Sequence, residues 1–490
     1  MAIAFESTFS SLPDSLYSAV NPTAVRQPEL IRLNDALAEE LRLDAQWLRS
    51  ADGLAMLCGN AVVSASTPIA LAYAGHQFGN FVPQLGDGRA VLLGEVVDRS
   101  GTRRDIQLKG AGRTPYSRRG DGRAALGPVL REYIVSEAMA ALGVPTTRAL
   151  AAVATGDRVQ RETGLPGAVL TRVAASHIRV GTFQYAAARG DAEALRSLAD
   201  YVIARHFPDA ADADNRYLAL FDHVVRAQAN LVAHWMSLGF IHGVMNTDNM
   251  AISGETIDYG PCAFLDTYDP AKVFSSIDEF GRYAFGNQPR VAAWNLARLA
   301  EALLPLIDEN TDRAVAAAQE VLGGFKDLFE EAHLRRMRAK LGLTTEEPED
   351  AGLVRDLLEA MHEGQADFTL TFRRLSWLAA DENAPAGLAD LLCDPRGLEA
   401  WYNRYTARLR RDPVSPEERA RAMLQVNPRV IPRNHRIEAV IRAAVDEGDY
   451  TPFHDLVRVL AMPWSDQPDD ASYEAPPRPG EEVSRTFCGT

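Results

Sequence analysis

The chain has 490 residues, close to half of them apolar and about a quarter charged, which suits a globular protein too long for one compact core. A formal net charge of −15 excludes nucleic-acid binding by bulk electrostatics. No apolar run approaches the roughly 20 residues a membrane helix needs, and the N-terminus lacks the basic start and apolar core of a signal peptide. Cys58, Cys262, Cys393 and Cys488 form no Cys-x-x-Cys pair, so neither a zinc cluster nor a secreted disulfide scaffold is expected, and the expected compartment is the cytoplasm.

In chain order, residues 28–43 read as a helix, and 61–108 is Gly-rich and strand-like. Within it, 89–97 has the β-branched content of a strand, and 104–109 alternates polar and apolar as a half-buried strand does. Gly127-Pro128 opens a helix with Pro at its first position, and Gly143 with Pro145 closes it. Strand-like runs recur at 148–155 and 167–173. After Asp191 the character turns helical, at 191–204, 217–238 and 291–304, the last stopped by Pro305. Helices are also expected at 312–341, with a break at Gly323-Gly324, and at 349–361 and 398–411. Residues 463–480, acidic and Pro-rich, read as an extended linker to a short tail. The expected units are therefore a strand-rich 1–175, a helical 176–462, and a linker with a Cys-containing tail at 463–490.

Five pieces carry chemistry, in order. Gln84-Leu85-Gly86-Asp87-Gly88-Arg89 is a glycine turn leading into a strand, suited to bringing backbone N–H groups close to phosphate oxygens, or simply a tight β-turn. Lys109 ends the alternating strand and can face phosphates or solvent. The helix after Pro128 carries Glu132 and Glu137, either of which could hold Lys109. His242-Gly243-Val244-Met245-Asn246-Thr247-Asp248-Asn249 has the His and Asn spacing of a protein-kinase catalytic loop, with Val244 where the kinase Asp belongs and a carboxylate instead at Asp248. Asp258-Tyr259-Gly260 mirrors the kinase Asp-Phe-Gly, whose Asp holds magnesium. Asn249 and Asp258 offer the hard oxygens magnesium takes beside phosphates and water. The five pieces stand in kinase order, so the expected fold is α+β, two-lobed and protein-kinase-like, with a strand-rich N-lobe and an enlarged helical C-lobe.

The pattern departs from kinases at the adenine hinge, where Arg172 and Arg179 fall. Guanidinium prefers phosphate oxygens, so the pair reads either as ligands of a nucleotide lying γ-phosphate inward or as surface ion-pair partners. Residues 109–123 hold four Gly and four Arg, which suits an anionic ligand; with Tyr116 as the one aromatic there, a nucleic-acid patch is poorly supported.

Tyr73-Ala74-Gly75-His76-Gln77-Phe78-Gly79, the run Gln107-Leu108-Lys109-Gly110-Ala111-Gly112-Arg113-Thr114-Pro115-Tyr116-Ser117-Arg118, the 242–249 loop and Asp258-Tyr259-Gly260-Pro261 resemble the selenoprotein O family along nearly the whole chain. That resemblance implies a pseudokinase-fold protein adenylyltransferase that binds ATP in a flipped orientation with Mg2+ or Mn2+, and acceptor Ser, Thr or Tyr hydroxyls on proteins. It implies that Gly86, Gly88, Arg89, Lys109, Asp121, Gly122, Arg172 and Arg179 hold ATP, that Asp248 accepts the proton, that Asn249 and Asp258 hold the metal, and that Glu132 pairs with Lys109. It also supports a redox switch in which Cys488 pairs with Cys262, the alternative being two unrelated thiols. Ordinary phosphoryl transfer and a silent ATP-binding scaffold remain the competing functions. His76 is expected to be a structural hydrogen-bonding residue, Cys58 and Cys393 inert core cysteines, and Trp401-Tyr402 and 427–434 packing or capping elements.

Overall fold

The computed structural model describes residues 3–380, 396–466 and 468–487. The first part runs β1 (Tyr17–Ala19), β2 (Glu29–Leu33), α1 (Asp35–Glu40), α2 (Ala45–Arg49), α3 (Ala51–Leu57), β3 (Ile69–Leu71), β4 (Gly75–Gln77), β5 (Asn80–Val82), β6 (Ala90–Val97), β7 (Arg103–Lys109) and β8 (Ala124–Ala125). Next come α4 (Leu126–Ala141), β9 (Arg148–Gln160) and β10 (Gly164–Ala174). An antiparallel sheet of eight strands takes the order β1-β3-β6-β7-β10-β9-β2, with β8 on β10, while β4 and β5 form a separate hairpin. The structure is mixed α+β, with an antiparallel sheet and many helices.

Alternation along two central strands decides what faces the site. In β7, Ile106 and Leu108 join the apolar cluster beneath α1–α3, so Gln107 and Lys109 face the other way. In β10, Val169 and Val173 belong to that same cluster, while Ala168 and Leu170 pack with Val129, Leu130 and Tyr133 of α4. Arg172 therefore emerges on the α4 side, and the register sets it opposite Gln107, with Leu170 opposite Lys109.

The helical remainder contains α5 (Val180–Ala188), α6 (Ala192–His206), α7 (Arg216–Leu238), the two-residue strands β11 (Phe240–Ile241) and β12 (Ala263–Phe264), α8 (Gln288–Ile307), α9 (Thr311–Gly323), α10 (Phe325–Lys340), α11 (Asp350–Glu363) and α12 (Phe368–Leu378). Helices Arg396–Leu409, Pro416–Leu424, Asn434–Arg442 and Thr451–Leu460 follow. Asn215 caps α7 by accepting from the Leu218 N–H, and Gly239 ends it in the left-handed conformation at φ 73°. That stop feeds the chain into β11 and the 242–249 loop.

Several elements differ from the sequence reading. Residues 28–43 are not one helix: Ile31 and Leu33 alternate inward along β2, which pairs with β9, and the helix starts only after the Asn34 cap. Pro128 is the third helical residue, still in the first turn, where a missing N–H costs little. Pro305 lies inside α8, near enough to its end that the helix closes two residues later. The 148–155 and 167–173 strands extend into one long hairpin because pairing continues outward to Leu165 opposite Val159. The break at Gly323-Gly324 separates α9 from α10. The 463–480 stretch is docked along part of its length: Glu474 pairs with Arg429 at 2.5 Å and Asp470 with Arg458 at 2.9 Å. Trp401 is buried and its indole donates to the Leu353 carbonyl, and Asn427 donates to the Lys340 carbonyl.

Lys340 carries a stability prediction. It is buried, with its ammonium 4.3 Å from the Phe372 ring centroid and 5.7 Å from that of Phe368. Burial lowers its pKa from 10.5 to about 7. Between those values the unfolded chain binds a proton that the folded chain does not, so stability rises with pH across that window. Lys340→Met is expected to melt higher than the parent at pH 7, with the gap closing toward pH 10. Calorimetry at several pH values checks it, and a gap that does not narrow contradicts the assignment.

Candidate active site

One cavity of about 670 Å³ gathers the chemistry. Gly86, Gly88 and Arg89 line it from the glycine turn, and Lys109, Glu132 and Arg172 from the sheet and α4. Asp248, Asn249, Asp258 and Arg179 line it from the helical side, and Asp121 and Gly122 from the 109–123 loop.

Its deep end is a charge cluster. Lys109 Nζ lies 2.6 Å from Glu132 and 2.7 Å from Asp258. Arg172 Nη1 lies 3.1 Å from Glu132 and 2.7 Å from Asp258, and Arg179 Nη1 donates to Asp258 at 2.5 Å. Three cations thus share two carboxylates, and all five side chains are at least four-fifths buried. Burial pushes Asp258 upward, but Arg179, Lys109 and Arg172 outweigh it and hold the carboxyl well below the usual range. Asp258 itself has φ 66°, a left-handed conformation that costs a non-glycine residue about 1 kcal/mol or more. Tyr259 anchors it from behind, buried and bonded through its hydroxyl to Thr146. Of the two glutamates on α4, Glu132 faces Lys109; Glu137 instead pairs with Arg148 at 2.8 Å.

Arg172 is buried rather than a surface group, because its guanidinium also donates twice to Gln107 Oε1, at 2.7 and 3.2 Å. Gln107 in turn donates to Asp87 at 3.0 Å. Arg179 sits at the N-terminus of α5, donates to the Asp248 carbonyl at 2.6 Å and lies 4.7 Å over the Tyr73 ring. The glycine turn packs against the 109–123 loop, since a Cβ on Gly86, at φ 79°, would overlap the Tyr116 ring. Asp121 lies farther out, half-exposed and paired with Arg161 at 3.0 Å.

Asp248 and Asn249 occupy a short 3-10 turn, Thr247–Asn249. Asn249 Nδ2 donates to the Val244 carbonyl at 3.0 Å, a bond that does not use Oδ1. Burial raises Asp248 to about 6 against the opposing pull of Gln77 and Arg179. The hairpin β4–β5 lies directly on this turn. Gln77 Nε2 donates to Asp248 Oδ2 at 3.2 Å, His76 N–H to Thr247 Oγ1 at 2.7 Å, and Phe78 N–H to Asn246 Oδ1 at 3.1 Å. Asp248 Oδ1 is buried without a hydrogen-bond partner. His242 is a buried strut whose Nε2 lies 2.9 Å from the Ile257 carbonyl, tying the loop to the segment that carries Asp258.

Among the described residues no group of three or more His, Cys, Asp or Glu could hold a metal. Asn249 and Asp258 fit a divalent cation that takes its remaining ligands from phosphates and water: one amide oxygen and one ionised carboxylate line the same cavity. Cys262, four residues past Asp258, is free and buried, and burial pushes its thiol up to about 12. Cys58 is likewise free and buried. Cys488 and Cys393 lie outside the described residues.

Sequence reasoning gave no role to Asp87, Gln107 or Gln77. Gln107 left a signal, a polar residue on Lys109's face of a strand; Asp87 sat unread between two glycines. His76 fulfils its structural expectation, bonding Gln184 at 2.8 Å.

A family model described as protein adenylyltransferase SelO matches residues 1–461. The protein nucleotidyltransferase YdiU of Rhizobium rhizogenes is 62% identical over 488 residues, covering 100% of this chain and 97% of its own. Proteins of the same name from Rhodopseudomonas palustris (strain BisB5) and Bradyrhizobium diazoefficiens are each 60% identical over 486 residues, covering 99% of both chains.

Proposed function

The chain belongs to the SelO family of protein adenylyltransferases, and from that membership we propose how its cavity transfers AMP from ATP to protein hydroxyls. The triphosphate enters first, its γ-phosphate inward against Lys109, Arg172 and Arg179. The glycine turn and the 109–123 loop, through Gly86, Gly88, Arg89, Asp121 and Gly122, hold the remainder of ATP. What supports this orientation is one observation: the deep end carries three fixed cations, Lys109, Arg172 and Arg179. Arg binds phosphate oxygens through a planar fork, and burial strengthens the attraction. The α-phosphate is then the phosphorus left facing Asp248.

In the proposed step the acceptor hydroxyl oxygen of Ser, Thr or Tyr bonds to the α-phosphorus. The bond from that phosphorus to the β-phosphate bridging oxygen breaks, and pyrophosphate leaves. Asp248 takes the hydroxyl proton, and its burial, which raises its pKa to about 6, suits it to hold one. Asn249 and Asp258 would hold Mg2+ or Mn2+, which when bound offsets phosphate charge. Glu132 keeps Lys109 and Arg172 in place. Residues 1–175 and 176–462 would form the two lobes of a kinase-like fold with this cavity in the cleft. A cytoplasmic setting fits the chain; among the described residues no helix is long and apolar enough to cross a membrane.

ATP labelled at the α- or the γ-phosphate tests the reaction. Label entering protein from the α position alone is the expected result. Label from γ alone would establish phosphoryl transfer instead, and label from neither a silent scaffold.

The same reading includes a thiol switch, a Cys262–Cys488 disulfide tying the tail beside Asp258. It is supported by Thr486, whose hydroxyl donates at 2.6 Å to the carbonyl of Pro261, the neighbour of Cys262. Peptide mapping of the oxidised protein is expected to recover the cross-linked pair; its absence after thorough oxidation ends this part of the proposal.

A further inference from the structure

The chain after Asp258 returns to the cavity at Ile277, and the tail is seated just before it, against Phe274 and Ser276. Thr486 N–H donates to the Phe274 carbonyl at 2.7 Å, and its carbonyl accepts from Ser276 N–H at 2.9 Å, which makes a parallel bridge with Ser275. With the Pro261 bond, three hydrogen bonds converge on this one residue. Thr486 is buried, whereas Glu481, Glu482, Ser484, Arg485 and Phe487 are exposed. Two large apolar side chains stand open on the cavity rim, Ile277 at 55% and Phe487 at 69% exposure, and Phe280, at 96%, stands three residues beyond Ile277.

These observations describe a short backbone edge, from Phe274 to Ser276, that pairs with an extended segment at a single bridge before the chain turns at 276–277, beside apolar side chains left exposed among the described residues. Backbone pairing gives such an edge affinity regardless of sequence, and neighbouring apolar groups add selectivity. Among the described residues the tail uses the edge at Thr486 and buries no large side chain there, so its hold depends chiefly on tethering. A tethered segment acts at an effective concentration in the millimolar range, which a separate segment with apolar anchors can match.

We propose that the backbone edge at 274–276 is the docking point for the protein acceptor, and that the tail occupies it in cis. The acceptor segment binds extended, pairs with this edge, and sets a bulky apolar side chain on the rim where Phe487 stands. This inference rests on the transfer of AMP to protein hydroxyls and adds how the acceptor is held. It requires no disulfide.

The test uses the full chain under a thiol reductant, with α-labelled ATP and a peptide library that fixes Ser, Thr or Tyr between randomised flanks. Thr486→Pro removes the N–H and the hydroxyl that hold the tail and leaves Cys488 in place. The KM for acceptor peptides is expected to fall roughly fivefold, the worth of two hydrogen bonds at the low end of their net range, with the KM for ATP unchanged. A peptide of residues 481–487, which lacks cysteine, is expected to compete with the acceptor and not with ATP. Ile277→Asp is expected to erase selectivity for apolar flanks. An acceptor KM insensitive to Thr486→Pro, or a tail peptide that competes with ATP, overturns the docking edge and leaves AMP transfer standing. Absence of α-label in every variant overturns both.

Discussion

Asp258→Ala is expected to lower AMP transfer by about a thousandfold or more while the chain remains folded and still binds ATP. The asymmetry follows from what Asp258 does at rest. Its carboxylate is the anion common to Lys109, Arg172 and Arg179, at 2.7, 2.7 and 2.5 Å. Removing it leaves Lys109 and Arg172 with Glu132, and Arg179 with Asp87 at 3.9 Å, which costs on the order of 3–5 kcal/mol of stability. The same surplus of positive charge attracts a triphosphate, so affinity for metal-free ATP should hold or rise. In the proposed mechanism, what disappears is the ionised ligand for a divalent cation and the fixed geometry at the α-phosphate. Calorimetric titration with ATP, a thermal melt and an α-label assay separate the three quantities. Transfer that survives would remove the metal role assigned to Asp258.

Gly75→Ala should be nearly as damaging, although glycine has no reactive group. A Cβ at this position would overlap Asp248 Oδ1 and lie 2.9 Å from Asp248 Cβ and Cγ. The hairpin has little room to retreat: Ala74 N–H donates to the Gly181 carbonyl at 2.9 Å, and His76 N–H holds Thr247 at 2.7 Å. Asp248 must give way instead, and a displacement near 1 Å at a reacting group costs about a hundredfold in rate. The expected result is a fall of that size in kcat with the KM for ATP unchanged, because the three cations lie on other elements. A normal kcat would show that Asp248 is free to move and that the hairpin does not position it.

The outline of the site was legible because its parts sit in short strings whose residue types are chemically unusual for their surroundings. Lys109 at a strand end, Asn249 seven residues after His242, and Asp258 before Tyr-Gly each announce themselves locally. Period-two alternation in 104–109 announced the strand β7, and Gly323-Gly324 announced a helix break. Residues 28–43 misled because Ile31 and Leu33 serve a strand pairing with β9, more than a hundred positions away, which no local window contains. Pro305 misled because the position of a proline within the final turn depends on where packing ends the helix.

The sequence alone determined the inventory: which cations, carboxylates and amides exist, their order, and the strand and helix that carry Lys109 and Glu132. Only the tertiary structure decided that Arg172 turns toward Glu132 and Asp258, since that follows from antiparallel register with Gln107. It alone decided that Gly75 lies against Asp248, 173 positions later, and that Thr486 reaches Pro261, 225 positions earlier. The physical reason is the same in each case. Side-chain identity is written residue by residue, whereas the direction and partners of a side chain are set by strand pairing and burial between segments far apart in the chain.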